Sequence, residues 1–234
     1  MTFNSKDDLR FSPAYSVPDA ARYLHMPAAT LRSWIKGRNY PVSGGSKHSR
    51  PLIPLADPEQ QFLSFVNLVE AHILAAICRK YGVKVPRIRS ALDFLARKFR
   101  VNHPLIEQSF QTDGLDLFVD HCGELLNASK EGQSAMKDII GVYLQRIEWD
   151  SRGLPIKLYP FTRETQANNS PSSDPRVIVM NPAVSFGRPI VAGTGIPVAS
   201  IYERYKAGDS VMELAQDFRL EVSSIEEAIR CEAA

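Results

Sequence analysis

The stretch YSVPDAARYLHMPAATLRSWIKGRNYP, residues 15–41, is punctuated by prolines that limit where its helices can start and stop. A proline disfavours helical geometry in the residue before it, so Pro27 stops any helix begun at Ser16 near His25-Met26. Ser16 is placed to cap that helix, with Pro18 in its first turn and Asp19 near its positive end. Val17, Ala20, Ala21 and Leu24 follow helical spacing. Pro27 then opens a second helix through Thr30, Leu31, Trp34 and Ile35 to Gly37, a residue suited to a left-handed stop. Neither helix is long enough to be stable alone, so each must pack. Two short helices joined by a three- or four-residue turn make a helix-turn-helix, whose second helix enters the DNA major groove.

The second helix has two faces. Leu31, Trp34 and Ile35 recur at spacings of three and four and point inward, which makes Trp34 a core residue rather than a base-stacking one. Arg32, Ser33 and Lys36 fall on the outer side. The next segment, NYPVSGGSKHSRPLIPL, residues 39–55, is rich in Gly, Ser and Pro and carries Lys47, His48 and Arg50. It reads as a basic loop or wing between short extended pieces, of the kind that contacts phosphate. An ordinary surface loop fits the same residues. The candidate DNA-contact set is Thr30, Arg32, Ser33, Lys36, Arg38, Lys47 and Arg50.

Charge supports a division of labour. Residues 1–100 hold 16 Lys+Arg against 7 Asp+Glu, and residues 101–234 hold 12 against 19. A basic half suits nucleic acid, and an acidic half suits a different partner. No run of 18 apolar residues exists, so no membrane span is expected. MTFNSKDDLR lacks the apolar region of a signal peptide. Cys78, Cys122 and Cys231 are far apart and odd in number, which points to reduced thiols in a cytoplasm.

The expected architecture is α+β, in a helical DNA-binding domain (1–103), a β-rich middle module (104–163), a polar linker (164–175) and a C-terminal module of short strands and three helices (176–234). In the first, QQFLSFVNLVEAHILAAICRKYG predicts a long helix with Phe62, Phe65, Val66, Val69, Ile73 and Ile77 on one face. KVPRIRSALDFLARKFR predicts another, with Ile88, Leu92, Leu95 and Phe99 inward. Arg87, Arg89, Arg97, Lys98 and Arg100 fall on its outer side. Asp113-Gly114 between strand-like runs signals a hairpin. GELLNAS reads as a further strand, GQSAMKDIIGVYLQRI as a helix, and Ser151-Arg152-Gly153 as the turn of a second hairpin. Toward the end, Ser210 with Glu213 and Ser223 with Glu226 spell capping boxes.

The stretch NPAVSFGRPIVAGTGIPVASIYERYKAGDSVMELAQDF resembles the bacterial family known as domain of unknown function 433. The matching positions are Asn181-Pro182, Gly187-Arg188-Pro189, Gly193-Thr194, Ile196-Pro197, Gly208-Asp209-Ser210 and Glu213-Leu214. Gly195 stands where many members have arginine. The resemblance covers roughly 55 residues. With the helix-turn-helix ahead of it, most of the chain resembles the VapB-like antitoxins of bacterial VapBC toxin–antitoxin systems. That resemblance implies operator binding by the N-terminal helices and neutralisation of a PIN-like ribonuclease toxin.

Enzyme readings find little support. Gly193-x-Gly195 lacks the third glycine of a dinucleotide fingerprint and the Gly-Lys-Ser/Thr of a phosphate loop. Asp113, Asp116, Asp120 and Glu124 invite a magnesium site, but alternation with Leu115, Leu117 and Val119 fits a half-solvated strand better. No catalytic residue, metal or cofactor is expected. Three functions stay open: an antitoxin that also represses its own operon, a stand-alone transcriptional regulator, and a nuclease with its own DNA-binding domain. A homodimer is expected, since readers of this type commonly pair to span two half-sites. The strands around Val177–Met180 and Arg188–Val191 are candidate pairing segments. Phe110, Leu117, Phe118, Phe186 and Tyr202 are candidate anchors for a toxin.

Overall fold

The computed structural model describes residues 8–55, 57–81, 85–107, 110–126, 129–163 and 174–233. The N-terminal helices are α1 (Val17–Tyr23) and α2 (Ala28–Lys36), followed by the strands β1 (Asn39–Val42) and β2 (Gly45–His48). Ser16 caps α1 by accepting from the Asp19 amide, and Gly37 ends α2 at φ 74°. The limits of both helices follow the expectation from Ser16, Pro27 and Gly37, but Gly37, at ψ −171°, does not adopt the left-handed helical stop expected of it.

Helix α3 (Phe65–Tyr81) is the central element. It departs from the one-faced helix expected, because it is buried on nearly every side. Phe65, Val66, Leu68, Val69, Ile73, Leu74 and Ile77 are covered, and so are the polar Asn67, Glu70 and His72. Phe62 precedes the helix and is exposed, so it is not part of that face. The buried polar groups are satisfied locally. Ser64 Oγ accepts from the Asn67 amide at 3.2 Å, and Asn67 Oδ1 accepts from the Ser64 amide at 3.2 Å. That reciprocal pair closes the first turn as a capping box does. Helix α4 (Val85–Phe99) buries Ile88, Ala91, Leu92 and Leu95.

The middle of the chain is helical where strands are expected. No hairpin forms at Asp113-Gly114; these residues close a π-helical turn, Phe110–Gly114, leading into α5 (Leu115–Leu126). The strand expected at GELLNAS is instead the end of α5, with its last residues partly outside those described. Leu115, Phe118, Val119 and Cys122 recur at helical spacing and are buried, so packing against α4 and α6 overrides the alternating pattern. The middle module is therefore helical except for its second hairpin. Helix α6 (Lys130–Leu144) and the strands β3 (Ile147–Trp149) and β4 (Pro155–Leu158) lie where expected, with Gly153 at φ 76° in the turn.

Of the expected linker, 164–173 lie outside the described residues, while Asp174 and Pro175 are anchored. Arg146, 3% exposed, donates to the carbonyls of Tyr159, Pro160, Asp174 and Pro175 at 2.7–3.2 Å. One buried guanidinium so binds both sides of that connection.

The C-terminal module holds β5 (Ile178–Val179), β6 (Ile190–Val191), α7 (Val198–Lys206), α8 (Val211–Phe218) and α9 (Val222–Ala233). Strands β5 and β6 pair antiparallel with each other, while Met180 bridges to Leu158 and Ile190 to Pro197. Both segments are thus paired within the chain. The capping box at Ser210 and Glu213 is present. Ser223 is not a cap, because α9 begins before it at Val222. One hydrophobic core runs through all of these parts, from Tyr15 to Cys231, across the boundaries expected at 103 and 164–175.

Candidate nucleic-acid interface

Leu31, Trp34 and Ile35 are buried, at 0%, 1% and 4% exposure, which fixes the outward side of α2. Arg32 and Lys36 are exposed on it, and Thr30 is half-buried. Ser33 turns its hydroxyl back into the helix, donating to the Thr30 carbonyl at 2.7 Å. Its oxygen is left as an acceptor only. Arg38 and Lys47 are also exposed. Among the described residues, Arg32, Lys36, Arg38 and Lys47 have no ion-pair partner. Their charges are free to meet an anionic ligand.

The wing is a real hairpin, fixed to the end of α2. Its register pairs Asn39 with His48, Tyr40 with Lys47, and Val42 with Gly45 around a two-residue turn. Gly44, at φ 99°, supplies the left-handed backbone such turns require. At Gly37 the wing crosses so closely that a Cβ would lie 1.8 Å from the Ser49 carbonyl oxygen. Arg38 and Ser49 exchange two hydrogen bonds of 2.9 Å, from the Ser49 amide to the Arg38 carbonyl and from the Arg38 amide to Ser49 Oγ. His48 adds a contact from Nε2 to the Lys36 carbonyl, 2.9 Å, and one from Nδ1 to Asn39 Oδ1, 2.8 Å. Beyond the wing, the amides of Leu52 and Ile53 both donate to the Trp34 carbonyl. Helix and wing are therefore joined by hydrogen bonds at both ends of the wing.

Arg50, the last of the expected contacts, is exposed and pairs with Asp93 of α4 at 2.9 Å. Arg89, on the outer side of α4, lies beside it and donates to the Pro51 carbonyl at 3.1 Å. Burial pulls the Arg89 pKa down, with Arg50 adding to that pull and Asp93 opposing it. The surface thus extends from α2 through the wing to α4.

The other candidates fare differently. Asp116 pairs with Lys137 at 2.6 Å. Among the described residues no group of three His, Cys, Asp or Glu side chains is placed to hold a metal ion. Phe110 and Phe118 are fully buried and stack edge to face, so they fill the core and are not anchors. Phe186 is 90% exposed. No described helix is long and apolar enough to cross a membrane.

Comparison with known proteins agrees with this layout. Residues 13–92 match a family described as "Putative DNA-binding HTH domain", and residues 178–230 match "Protein of unknown function (DUF433)". The first match continues past the wing into α4. A Mycobacterium tuberculosis protein named "Putative antitoxin VapB45" is 29% identical over 244 aligned positions, covering 97% of each chain. "Uncharacterized protein Rv2308" of the same organism is 23% identical over 92% of this chain and 88% of its own. The X-ray crystal structure of Rv2018 from Mycobacterium tuberculosis superposes with a TM-score of 0.66 at 26% identity, covering 95% of this chain and 100% of that one. The chain is thus similar, end to end, to a protein named a putative VapB antitoxin, with its N-terminal part resembling the helix-turn-helix family and its C-terminal part resembling DUF433.

Proposed function

We propose that this chain is a DNA-binding antitoxin that represses its own operon and neutralises a PIN-like ribonuclease toxin. The observation that carries the DNA reading is the hydrogen-bonded unit of α2 and wing, which presents Arg32, Lys36, Arg38 and Lys47 with no ion-pair partner among the described residues. Phosphate contacts from the wing set register, and side chains of the helix read base edges. The antitoxin reading is supported by similarity along the whole chain to a protein bearing that name. The acidic residues 101–234 suit a toxin whose own surface binds RNA phosphate. Charge of that kind speeds encounter, while lasting inhibition needs an apolar anchor. Of the candidate anchors Phe186 is the most exposed, while Leu117 and Tyr202 are half-buried. The protein acts in the cytoplasm, where its operator lies, as a homodimer and without a cofactor.

The test is co-expression of the full chain with the product of the adjacent reading frame. The reading predicts that the neighbour alone arrests growth and that the full chain restores it. Arrest that persists with the chain present counts against the antitoxin reading. The halves 1–100 and 101–234 are not suited to this test, because the core is continuous between them.

A further inference from the structure

An open recess of about 330 Å³ lies between the segment that leaves the wing, residues 50–54, and helices α3 and α4. Leu52, Leu92 and Leu105 form part of its wall, and Arg50, Arg89 and Asp93 are among its polar lining residues. The hydrogen bond from Arg89 Nη1 to the Pro51 carbonyl holds Arg89 alongside Arg50. Two guanidiniums so placed repel one another, and this side chain is half-buried, which raises the cost. Asp93 partly answers the charge, through its ion pair with Arg50. The remaining donors of Arg89 have no protein acceptor among the described residues. Such a pair is incomplete without an anion.

The wing continues the same surface. Tyr40 and Lys47 are directly opposed in the hairpin, so their side chains share a face. Tyr40 is also close enough to Arg89 to act on its charge. A stripe therefore runs from Lys47 over Tyr40 to Arg50 and Arg89, continuous with the unit that carries α2. Its open, rim-like shape suits a polyanion passing across it.

We propose that Arg89, together with Arg50 and Lys47, grips the sugar–phosphate backbone of DNA beside the base pairs read by α2, and that Asp93 weakens this grip by holding Arg50. This rests on the DNA reading above. It adds α4 to the interface and gives Asp93 a negative role that no surface ion pair needs.

The test uses the full chain and a fluorescent random-sequence duplex, with affinity measured from about 50 to 200 mM salt. Each phosphate contact contributes about 0.9 to the slope of log affinity against log salt. Arg89→Gln should reduce the slope by about one and weaken binding severalfold at the lowest salt. Asp93→Asn should tighten binding by about two- to fivefold, the range that exposed ion pairs span. That gain should vanish in an Arg50→Gln background, which separates release of Arg50 from a general loss of negative charge. Thermal melting of each variant checks the fold. If Arg89→Gln melts early, Arg89→Lys, which keeps the charge, and Arg89→Met, which keeps the stem, are compared in its place: the slope should be near parental in the first and reduced by about one in the second, and a parental slope in a folded Arg89→Met overturns the proposal. A parental slope in a folded Arg89→Gln, or a gain from Asp93→Asn that survives Arg50→Gln, overturns the proposal. A parent chain that binds no DNA overturns the DNA reading itself, before any variant is compared. A slope that responds to Arg32→Ala and not to Arg89→Gln leaves that reading standing and removes α4 from the interface.

Discussion

The hydroxyl of Tyr15 donates to the carbonyl of Gly187 at 2.9 Å, across 172 residues of chain. It ties the start of the helix-turn-helix to the loop before β6. Gly187 has φ 79°, and a Cβ there would lie 2.3 Å from the Tyr15 oxygen. Both backbone and space therefore demand glycine. A second tie lies at the other end of α1, where Arg22 pairs with Glu232 of α9. Gly187→Ala should cost about 1–3 kcal/mol, from the left-handed conformation and the lost hydrogen bond together. Tyr15→Phe should cost about 1–2 kcal/mol, because it strands a buried carbonyl. Urea denaturation measures both, and parental midpoints would show that this brace contributes nothing.

Phe186 should separate toxin binding from stability. Ser185, Phe186 and Gly187 are successive left-handed residues, and they hold the ring in solvent. Backbone of that kind is costly and is often kept for function. Phe186→Ala should leave the melting temperature within about one degree, since the ring packs on little. It should weaken the toxin complex by about 2 kcal/mol or more, as loss of a hot-spot aromatic does. Equal affinity of variant and parent for the purified toxin would remove Phe186 from that surface.

His103 should give the protein a pH-dependent stability. Burial pulls its pKa down, but the Glu70 carboxylate, 3.0 Å away and 4% exposed, outweighs that and holds it above 6.5. A raised folded pKa means that the stabilisation is full below 6.5 and fades as pH rises through the folded value. Stability should therefore fall as pH rises through the folded pKa, and His103→Gln should flatten that fall, costing most stability on the acidic side and approaching the parent on the alkaline side. An unchanged pH profile in the variant would deny the pair this role.

Assembly is tested by light scattering. A short recognition helix reads few base pairs, so two copies should associate. Twice the chain mass of 26.1 kDa is expected at micromolar concentration. The monomer mass would mean that the operator is read by single copies.

The legible parts of this fold are those with local causes. Ser16, Pro27 and Gly37 set the limits of α1 and α2 through capping and backbone restriction, which act over three or four residues. The same holds for Gly153 in the second hairpin. Helix α3 shows no single apolar face, because Ala71, Ala75 and Ala76 together with the satisfied Asn67, Glu70 and His72 blur it. Alternation at Leu115, Leu117 and Val119 pointed to a strand, and Phe118 and Cys122 show that tertiary packing chose the helix. In the candidate site, Arg32 and Lys36 follow from periodicity alone. Arg89 does not, because its place beside the wing depends on how α4 folds back on residues 50–54. Arg146 and the Tyr15–Gly187 contact are long-range and leave no local mark.

The most direct test of the central claim is the affinity of the full chain for its own upstream DNA, with and without Arg32. Arg32 is exposed on α2 with no ion-pair partner among the described residues, so its loss should cost little stability. A bidentate arginine–guanine contact is worth about 1–3 kcal/mol of discrimination. Arg32→Ala should therefore weaken binding to that DNA by roughly tenfold or more at matched salt. A charge change at Glu226, paired with Arg230 on α9, should leave it near the parental value. Equal affinity of Arg32→Ala and the parent would contradict the assignment of α2 as the helix that reads DNA.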